Sequence, residues 1–472
     1  NDNFVIYQNG GQDTINFKIN SDVTGTRANV TTGTIGGKTN TLTFQTGEKT
    51  YWYQDGAQVS TSVNAYSAAP NVASWAGTTP QVLFGAAADV VEKRSFSAKV
   101  RAIRVYDRVL TAEEIQSNAA LDAQRYPSTA ALTALAQSSW EAVVGNTADL
   151  GSNTSLAGLQ AYAERCMTSK AKASLTVTVA DAGNGVYTFT YGAKNGGKTV
   201  AQHTFYVDCE YKLDMSQMDT DAQKVLLNDV VQYKGSGSIE VKWNDTAEAL
   251  NYKGTRNGNP VSHLYFPVYS SGDAYVFETE LSFVSGLTDW STMVFGADRF
   301  VEHLQYAFWG QRKASDTNAA GEGFVRFQDP SKNKDWAVGH QNIPFSKVLE
   351  ALGEKWEDTY TTQDGDTYQV KDKLKLKVVV YNGMMYALID GVQVLAAGAN
   401  GLLASDLNGV FGFNTAGTSM NIHKLSVRPI TEENKETELA GLKLIFNPAD
   451  AYKVDLYEPD TGVNTAPIVM QT

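Results

Sequence analysis

The sequence predicts a mainly β chain: two antiparallel β-sandwiches joined by a small α+β spacer. Three observations predict it. Apolar and polar residues alternate with period two over stretches near both ends, the signature of half-buried strands. Asp-Gly dipeptides sit between such runs, where both turn residues need positive φ. Helix-like, Ala-rich sequence is concentrated in the middle. Composition agrees, with 42% hydrophobic and 11% aromatic residues but only 19% charged. At ~100–200 residues per domain, 472 residues suggest about three domains.

Residues 1–126 carry the first strands. Phe4-Val5-Ile6-Tyr7 precedes an Asn9-Gly10 turn signal, and Thr14–Ile19 alternates cleanly. Thr41–Phe44 repeats the pattern, and Tyr51-Trp52-Tyr53 leads into Asp55-Gly56 and a return through Val59. Val82–Gly85 and Ser97–Tyr106 supply two more strands. Thr111 and Glu114 then form a capping box that opens a helix running to about Arg125, where Pro127 ends the pattern. Residues 127–207 read as the spacer, with helices near 129–144 and 155–169 and strands Leu175–Val179, Val186–Tyr191 and Thr204–Val207. Residues 208–430 return to strands: Tyr275–Phe283, Thr292–Phe295, Leu304–Trp309, Phe324–Phe327, Leu374–Tyr381, Tyr386–Ile389, Val410–Phe413 and Ile422–Arg428. Residues 431–437 form a charged connector within 431–472, and Leu442–Phe446 is expected to begin a further, truncated domain. Both ends look cut from a longer protein.

One internal repeat links the two β regions. Tyr51–Val59 aligns with Tyr386–Val394, each a strand, an Asp-Gly turn and a Gln-Val return. Phe84-Gly85 and Phe411-Gly412 follow, and each copy closes on a strand with alternating basic residues, Lys99–Val105 and His423–Arg428. The segment Ile103-Arg104-Val105-Tyr106-Asp107-Arg108-Val109-Leu110-Thr111-Ala112-Glu113-Glu114-Ile115, with Asp55-Gly56 upstream, resembles the end of bacterial laminin-G-like, concanavalin A-like lectin domains. The resemblance covers most of residues 1–126 and implies a two-sheet jelly roll, N-terminally incomplete. Residues 208–430 resemble the same superfamily more loosely, which implies a second jelly roll.

Net charge is −12, from 39 basic and 51 acidic side chains, with no basic stripe, so nucleic acid is not an expected partner. No run of about 18 apolar residues is present, so no membrane span is expected. Cys166 and Cys209 are the only cysteines, either one disulfide or two thiols. No zinc, phosphate-loop, nucleophile-elbow or dinucleotide motif occurs. Related glucanases carry Glu-x-Asp-x-x-Glu on one strand; the nearest approach here is Glu278-Thr279-Glu280, two carboxylates on one strand face. Their bland reading is a solvated pair; their functional reading is a hydrolase.

For a sugar, the expected site is a polar sheet face bearing a ring. The candidate residues are Gln305, Trp309, Gln311, Arg326, Glu278 and Glu280, provided their strands are neighbours, with Trp75 as a loop candidate in the first module. Ordinary solvent-face packing is the competing reading. No cofactor is required; the resemblance admits a bound Ca²⁺ without assigning ligands. The expected partner is a glycan or glycoprotein, the expected location extracellular or on the cell surface, and the expected role non-catalytic binding. A structural spacer presenting a downstream catalytic domain is the alternative.

Overall fold

The computed structural model describes residues 4–8, 14–19, 26–31, 38–43, 49–65, 101–106, 108–235, 237–254, 262–272, 274–285, 291–297, 306–308, 324–328, 340–353, 358–361, 367–370, 373–398, 407–415, 417, 419–444 and 454–455. The chain is mostly β and divides into two compact units, Asn1–Thr133 and Ala134–Thr472.

In the first unit, β1 (Phe4–Gln8), β2 (Thr14–Ile19) and β3 (Thr26–Thr31) form one antiparallel sheet, and β4 (Asn40–Thr43), β5 (Lys49–Gln54) and β6 (Ala57–Ala65) another. The Asp55-Gly56 turn has φ of 51° and 86°, as the twisted two-residue hairpin requires. A Cβ on Gly56 would fall 2.8 Å from Gln116 Cα, so the hairpin tip packs on α1 (Ala112–Arg125). That helix has its capping box: Thr111 Oγ1 accepts from the Glu114 N–H, and the Glu114 carboxylate accepts from the Thr111 N–H. The expected strand Ser97–Tyr106 differs. Its described part, 101–106, is exposed and joins no ladder among the described residues. It is held instead by side chains: Arg104 donates twice to Asp122, and Asn118 Nδ2 donates to Tyr106 Oη at 3.1 Å. Alternation encodes an extended chain, but ladder membership depends on a partner strand, which the pattern does not specify.

The second unit begins at Ala134, within α2 (Thr129–Gly145), and continues through α3 (Leu156–Cys166) and α4 (Ser169–Ser174), then β7 (Leu175–Gly183), β8 (Val186–Ala193) and β9 (Thr199–Val207). There follow β10 (Tyr211–Asp214), α5 (Thr220–Asp229), β11 (Val231–Tyr233), β12 (Ile239–Asn244), β13 (Ala249–Gly254), β14 (Ser262–Ser270), β15 (Tyr275–Ser285), β16 (Ser291–Ala297), β17 (Tyr306–Phe308), β18 (Phe324–Gln328) and β19 (His340–Pro344). The remainder is α6 (Phe345–Leu352), β20 (Asp358–Thr361), β21 (Thr367–Val370), β22 (Leu374–Tyr381), β23 (Met384–Ile389), β24 (Val392–Gly398), β25 (Gly409–Thr415), β26 (Ser419–Pro429), α7 (Lys435–Glu438) and β27 (Val454–Asp455).

Two large sheets pack face to face. One, here the front sheet, runs β19-β18-β17-β16-β25-β14-β9-β8-β7, with β11 beside β14; the other, the back sheet, runs β12-β13-β26-β15-β22-β23-β24-β27, with β10 beside β26. Their inner faces supply one core: Leu264, Phe266, Phe295, Phe411 and Phe413 from the front, and Tyr252, Tyr275, Phe277, Leu376, Val378 and Ile422 from the back. Tyr275 meets Phe411 edge-on at 4.9 Å, and Phe277 meets Phe411 at 5.4 Å, so aromatic contacts bridge the layers. Asp390-Gly391 makes the expected turn with φ of 47° and 85°, and Asn382-Gly383 makes a similar one, φ 51° and 69°, between β22 and β23.

The spacer expected at 127–207 keeps its helices and strands but is not separate. β9 pairs in parallel with β14 through Val268↔Tyr206 and Tyr269↔Val207, so β7–β9 extend the front sheet. The helices dock on that extension. Trp140 of α2 is fully buried, stacks on His203 at 4.6 Å and meets Phe189 and Phe205 edge-on. Its Nε1 donates to the Asp229 carbonyl at 2.9 Å. Tyr162 Oη ties α3 to α2 by donating to the Val143 carbonyl. Gln160 donates to the Val177 carbonyl and accepts from the Val179 N–H, which covers the free edge of β7. Short Ala-rich helices need such docking to be stable.

The connector after residue 430 also departs from expectation. Residues 442–444 form no strand; Leu439, Leu442 and Leu444 pack on the outer face of the back sheet. Residues 445–446 lie outside the described residues, and β27 pairs with β24 of the same sheet. Cys166 and Cys209 are both free thiols.

Candidate functional site

The sandwich offers two outer faces, and the candidate residues divide between them. Glu278 and Glu280 lie on β15 in the back sheet, whereas Arg326 lies on β18 in the front sheet. The polar face that would have joined them is therefore not assembled, because β15 pairs with β22 and β26 rather than with β17 or β18. Period-two alternation assigns residues to faces but carries no information on which sheet a strand joins. Gln305, Trp309, Gln311 and Trp75 lie outside the described residues. So does the Arg326 side chain; the residue stands opposite Asn342, two positions from Gln328, which faces Ala307 of β17.

On the back sheet, both carboxylates point outward as expected, and each has a cationic neighbour. Arg428 donates to Glu278 at 3.3 Å and also to Glu438. Lys373 pairs with Glu280 at 3.3 Å. Nearby, Ser282 Oγ lies 2.9 Å from His423 Nε2. Burial lowers the His423 pKa first and the Lys373 charge lowers it further, so this imidazole favours its neutral form.

On the front sheet, the registers align a polar row across three strands: His263 opposite Asn414, and Asn414 opposite Thr292. The next outward row is Tyr265, Gly412, Val294 and Ala307. His263 and Tyr265 stack at 5.6 Å, and Tyr233 of β11 lies 6.0 Å from His263. His263 is 0% and Tyr265 1% exposed, so these two rings are not open to solvent, whereas Tyr233 is half-buried. Asn414 is buried, and its Oδ1 accepts no hydrogen bond among the described residues. Gly412 has no room for a side chain: a Cβ there would collide with the Leu264 carbonyl oxygen. That accounts physically for the glycine of the Phe411-Gly412 repeat; Phe84-Gly85 lies outside the described residues.

Among the described residues no three His, Cys, Asp or Glu side chains converge as a metal site, so no calcium ligand is assigned. Among them, too, no helix is long and apolar enough to cross a membrane. Sequence reasoning missed the His263–Asn414–Thr292 row. Ser262–Ser270 is buried on both faces and reads as a continuous run, Ser-His-Leu-Tyr-Phe-Pro-Val-Tyr-Ser, without the alternation that flags a strand.

In comparison with known proteins, residues 1–116 match the model of a family described as the concanavalin A-like lectin/glucanases superfamily (Laminin_G_3). No curated protein matches the chain. Among solved structures it is similar to a carbohydrate-binding module, CBM66 from Bacillus subtilis, at 13% identity and TM-score 0.25, over 41% of this chain and 95% of that one. A protein of unknown function with a galectin-like fold, also from Bacillus subtilis, is similar at 14% identity and TM-score 0.25, over 47% and 96%. A native glycosidic hydrolase is similar at 8% identity and TM-score 0.30, over 48% and 97%.

Proposed function

We propose that this chain is a non-catalytic carbohydrate- or glycoprotein-binding part of a multidomain extracellular or cell-surface protein. The observation that carries the reading is the match of residues 1–116 to a lectin and glucanase superfamily. Against a glucanase role stands the environment of the paired carboxylates. A glycosidase needs one carboxyl group to protonate the leaving oxygen and a second to attack or activate water across an open groove. Glu278 and Glu280 instead face Arg428 and Lys373 on the outer face of the back sheet. Binding would rest on ring stacking and hydrogen bonds from Trp309, Gln305, Gln311 and Arg326, with Trp75 serving the first module. Weak affinity per module would be raised by tandem display.

A glycan array probed with the whole chain tests this, alongside a reducing-sugar assay. Trp309→Ala and Trp75→Ala are expected to lose binding while keeping the native circular dichroism; Glu278→Gln and Glu280→Gln are expected to keep it. Sugar release by the parent chain, abolished in either Glu variant, would replace the reading with a glucanase. The second reading is structural, with the modules acting as spacers for a catalytic domain. It is favoured by the burial of His263 and Tyr265, and it predicts an empty array.

A further inference from the structure

The outer face of the back sheet carries an apolar cluster, Val276, Val379, Met384, Tyr386 and Leu388, each at most 8% exposed. Residues 430–444 cover it. This segment leaves β26 at Pro429, is fixed by Ile430 N–H donating to the Ala274 carbonyl, and turns through Thr431–Asn434 with Asn434 accepting from the Thr431 N–H. Ile430, Leu439, Leu442 and Leu444 then rest on the cluster. Their contact is partial, for all four are only half-buried, whereas the side chains beneath are closed off from water. Two side-chain contacts join segment to sheet: the Lys443 N–H donates to Gln393 Oε1 of β24 at 2.8 Å, and the Glu438 carboxylate accepts from Arg428 Nε at 2.6 Å and Nη2 at 2.8 Å, with Lys377 Nζ at 3.4 Å. Arg428 also reaches Glu278 of β15. A bidentate guanidinium–carboxylate pair fixes direction as well as charge.

We propose that residues 430–444 are a releasable strap, and that the face beneath is a docking site for an acidic, leucine-bearing segment of the pattern Glu-Leu-x-x-Leu-x-Leu, filled in the closed state by this chain's own Glu438–Leu444. The surface is built for that chemistry: an apolar strip with Arg428 and Lys377 at one end matches a carboxylate followed by leucines. The strap brings little of its own to the core, so it belongs to the part of the unit that opens first. Acid favours release. Burial raises the Glu438 pKa, but Arg428 and then Lys377 outweigh it and leave the carboxyl below its ordinary value. The charged groups facing Glu438 are Arg428 of β26 and Lys377 of β22, with Glu278 of β15 on the far side of Arg428.

The test uses the whole chain and a labelled peptide of residues 432–444. Leu439→Asp/Leu442→Asp lifts the strap at neutral pH. The peptide is expected to bind this variant one to one and the parent chain not at all, and a peptide with Glu438→Gln to bind at least about tenfold more weakly. No binding to a variant with native circular dichroism overturns the proposal, and so does a variant that fails to fold, since the segment would then be part of the cooperative core. Hydrogen exchange on the parent chain is an independent check. Strap amides exchanging at least about tenfold faster than those of β15 and β22 support release; equal protection overturns it.

Discussion

Trp140→Ala tests whether the helical layer and the sandwich are one cooperative structure. The indole is fully buried between α2 and the β8–β9 surface, stacked on His203 and flanked by Phe189 and Phe205. Removing it forfeits the transfer energy of a large ring and leaves a cavity, about 3–5 kcal/mol for a Trp-to-Ala change. It also strands the Asp229 carbonyl, which accepts from Nε1, at a further cost of about 1–3 kcal/mol. The sum, about 4–8 kcal/mol, is a large share of a typical domain stability of ~5–15 kcal/mol. Trp140→Phe keeps most of the ring and is expected to cost only a fraction of that. Urea unfolding followed by far-ultraviolet circular dichroism gives the total, and hydrogen exchange at β14, β25 and β15 shows how far the loss spreads. Because β9 is hydrogen-bonded to β14, protection is expected to fall across the whole front sheet. If only α2–α4 and β7–β9 lose protection while β14, β25 and β15 keep theirs, the layer is an independent module and the reasoning fails.

Gly412→Ala is expected to destabilise by about 1–3 kcal/mol or more, because the colliding atom is the Leu264 backbone carbonyl and cannot rotate away; an unchanged urea midpoint would refute this. Strap protection should respond to acid: Glu438 has a depressed pKa, so its contribution is complete above the ordinary carboxylate value and is lost as pH falls through its own lower one. Exchange at 430–444 that stays constant from neutral pH to pH ~3 would contradict it. In the first unit, Arg108 and the Thr111 N–H hold Glu114 down to about 2, so protection at the start of α1 should persist below pH ~4 and fade toward that value. Thr111→Ala should weaken the same helix by about 0.5–2 kcal/mol, read as faster exchange over 112–118. Burial pushes the Cys166 thiol up to about 11, so alkylation in the native state at pH ~8 should be slow, while denaturation should release two titratable thiols.

Much of the local structure was readable because it depends on near neighbours. The capping box at Thr111–Glu114, the helix end at Arg125 and the hairpins at Asp55-Gly56 and Asp390-Gly391 are each set by a few adjacent residues. β22 was read to its exact ends, Leu374–Tyr381, since Leu-Lys-Leu-Lys alternates before turning into a buried Val run. Sheet membership was not readable. β15 and β18 alternate alike yet lie in opposite sheets, and the β9–β14 pairing joins residues some sixty positions apart. A period-two pattern specifies which side of a strand faces the core, but partner choice is settled by long-range packing. The same limit separated Glu278 and Glu280 from Arg326. The pairing of Arg428 with Glu438, at the outer face of β15, is not legible in the sequence either, because the two stand ten positions apart across a turn.

The chain itself restricts where the second unit can hold a ligand. Jelly-roll sandwiches have two outward faces, and here each is partly occupied from within. Trp140 and its helices cover the β7–β9 end of the front sheet. The strap covers the stretch of the back sheet formed by β15, β22 and β23. A glycan seated on the back sheet near Glu278 would have to displace Glu438 from Arg428, exchanging a bidentate ion pair for hydroxyl contacts at a net cost. Binding there predicts that glycan affinity rises when the strap is lifted by Leu439→Asp/Leu442→Asp. Binding at the other end of the front sheet, on β16–β19, predicts that affinity is indifferent to the strap and depends on Arg326 instead. Measuring one sugar against both variants distinguishes the two faces, and an affinity untouched by either assigns recognition to the first unit.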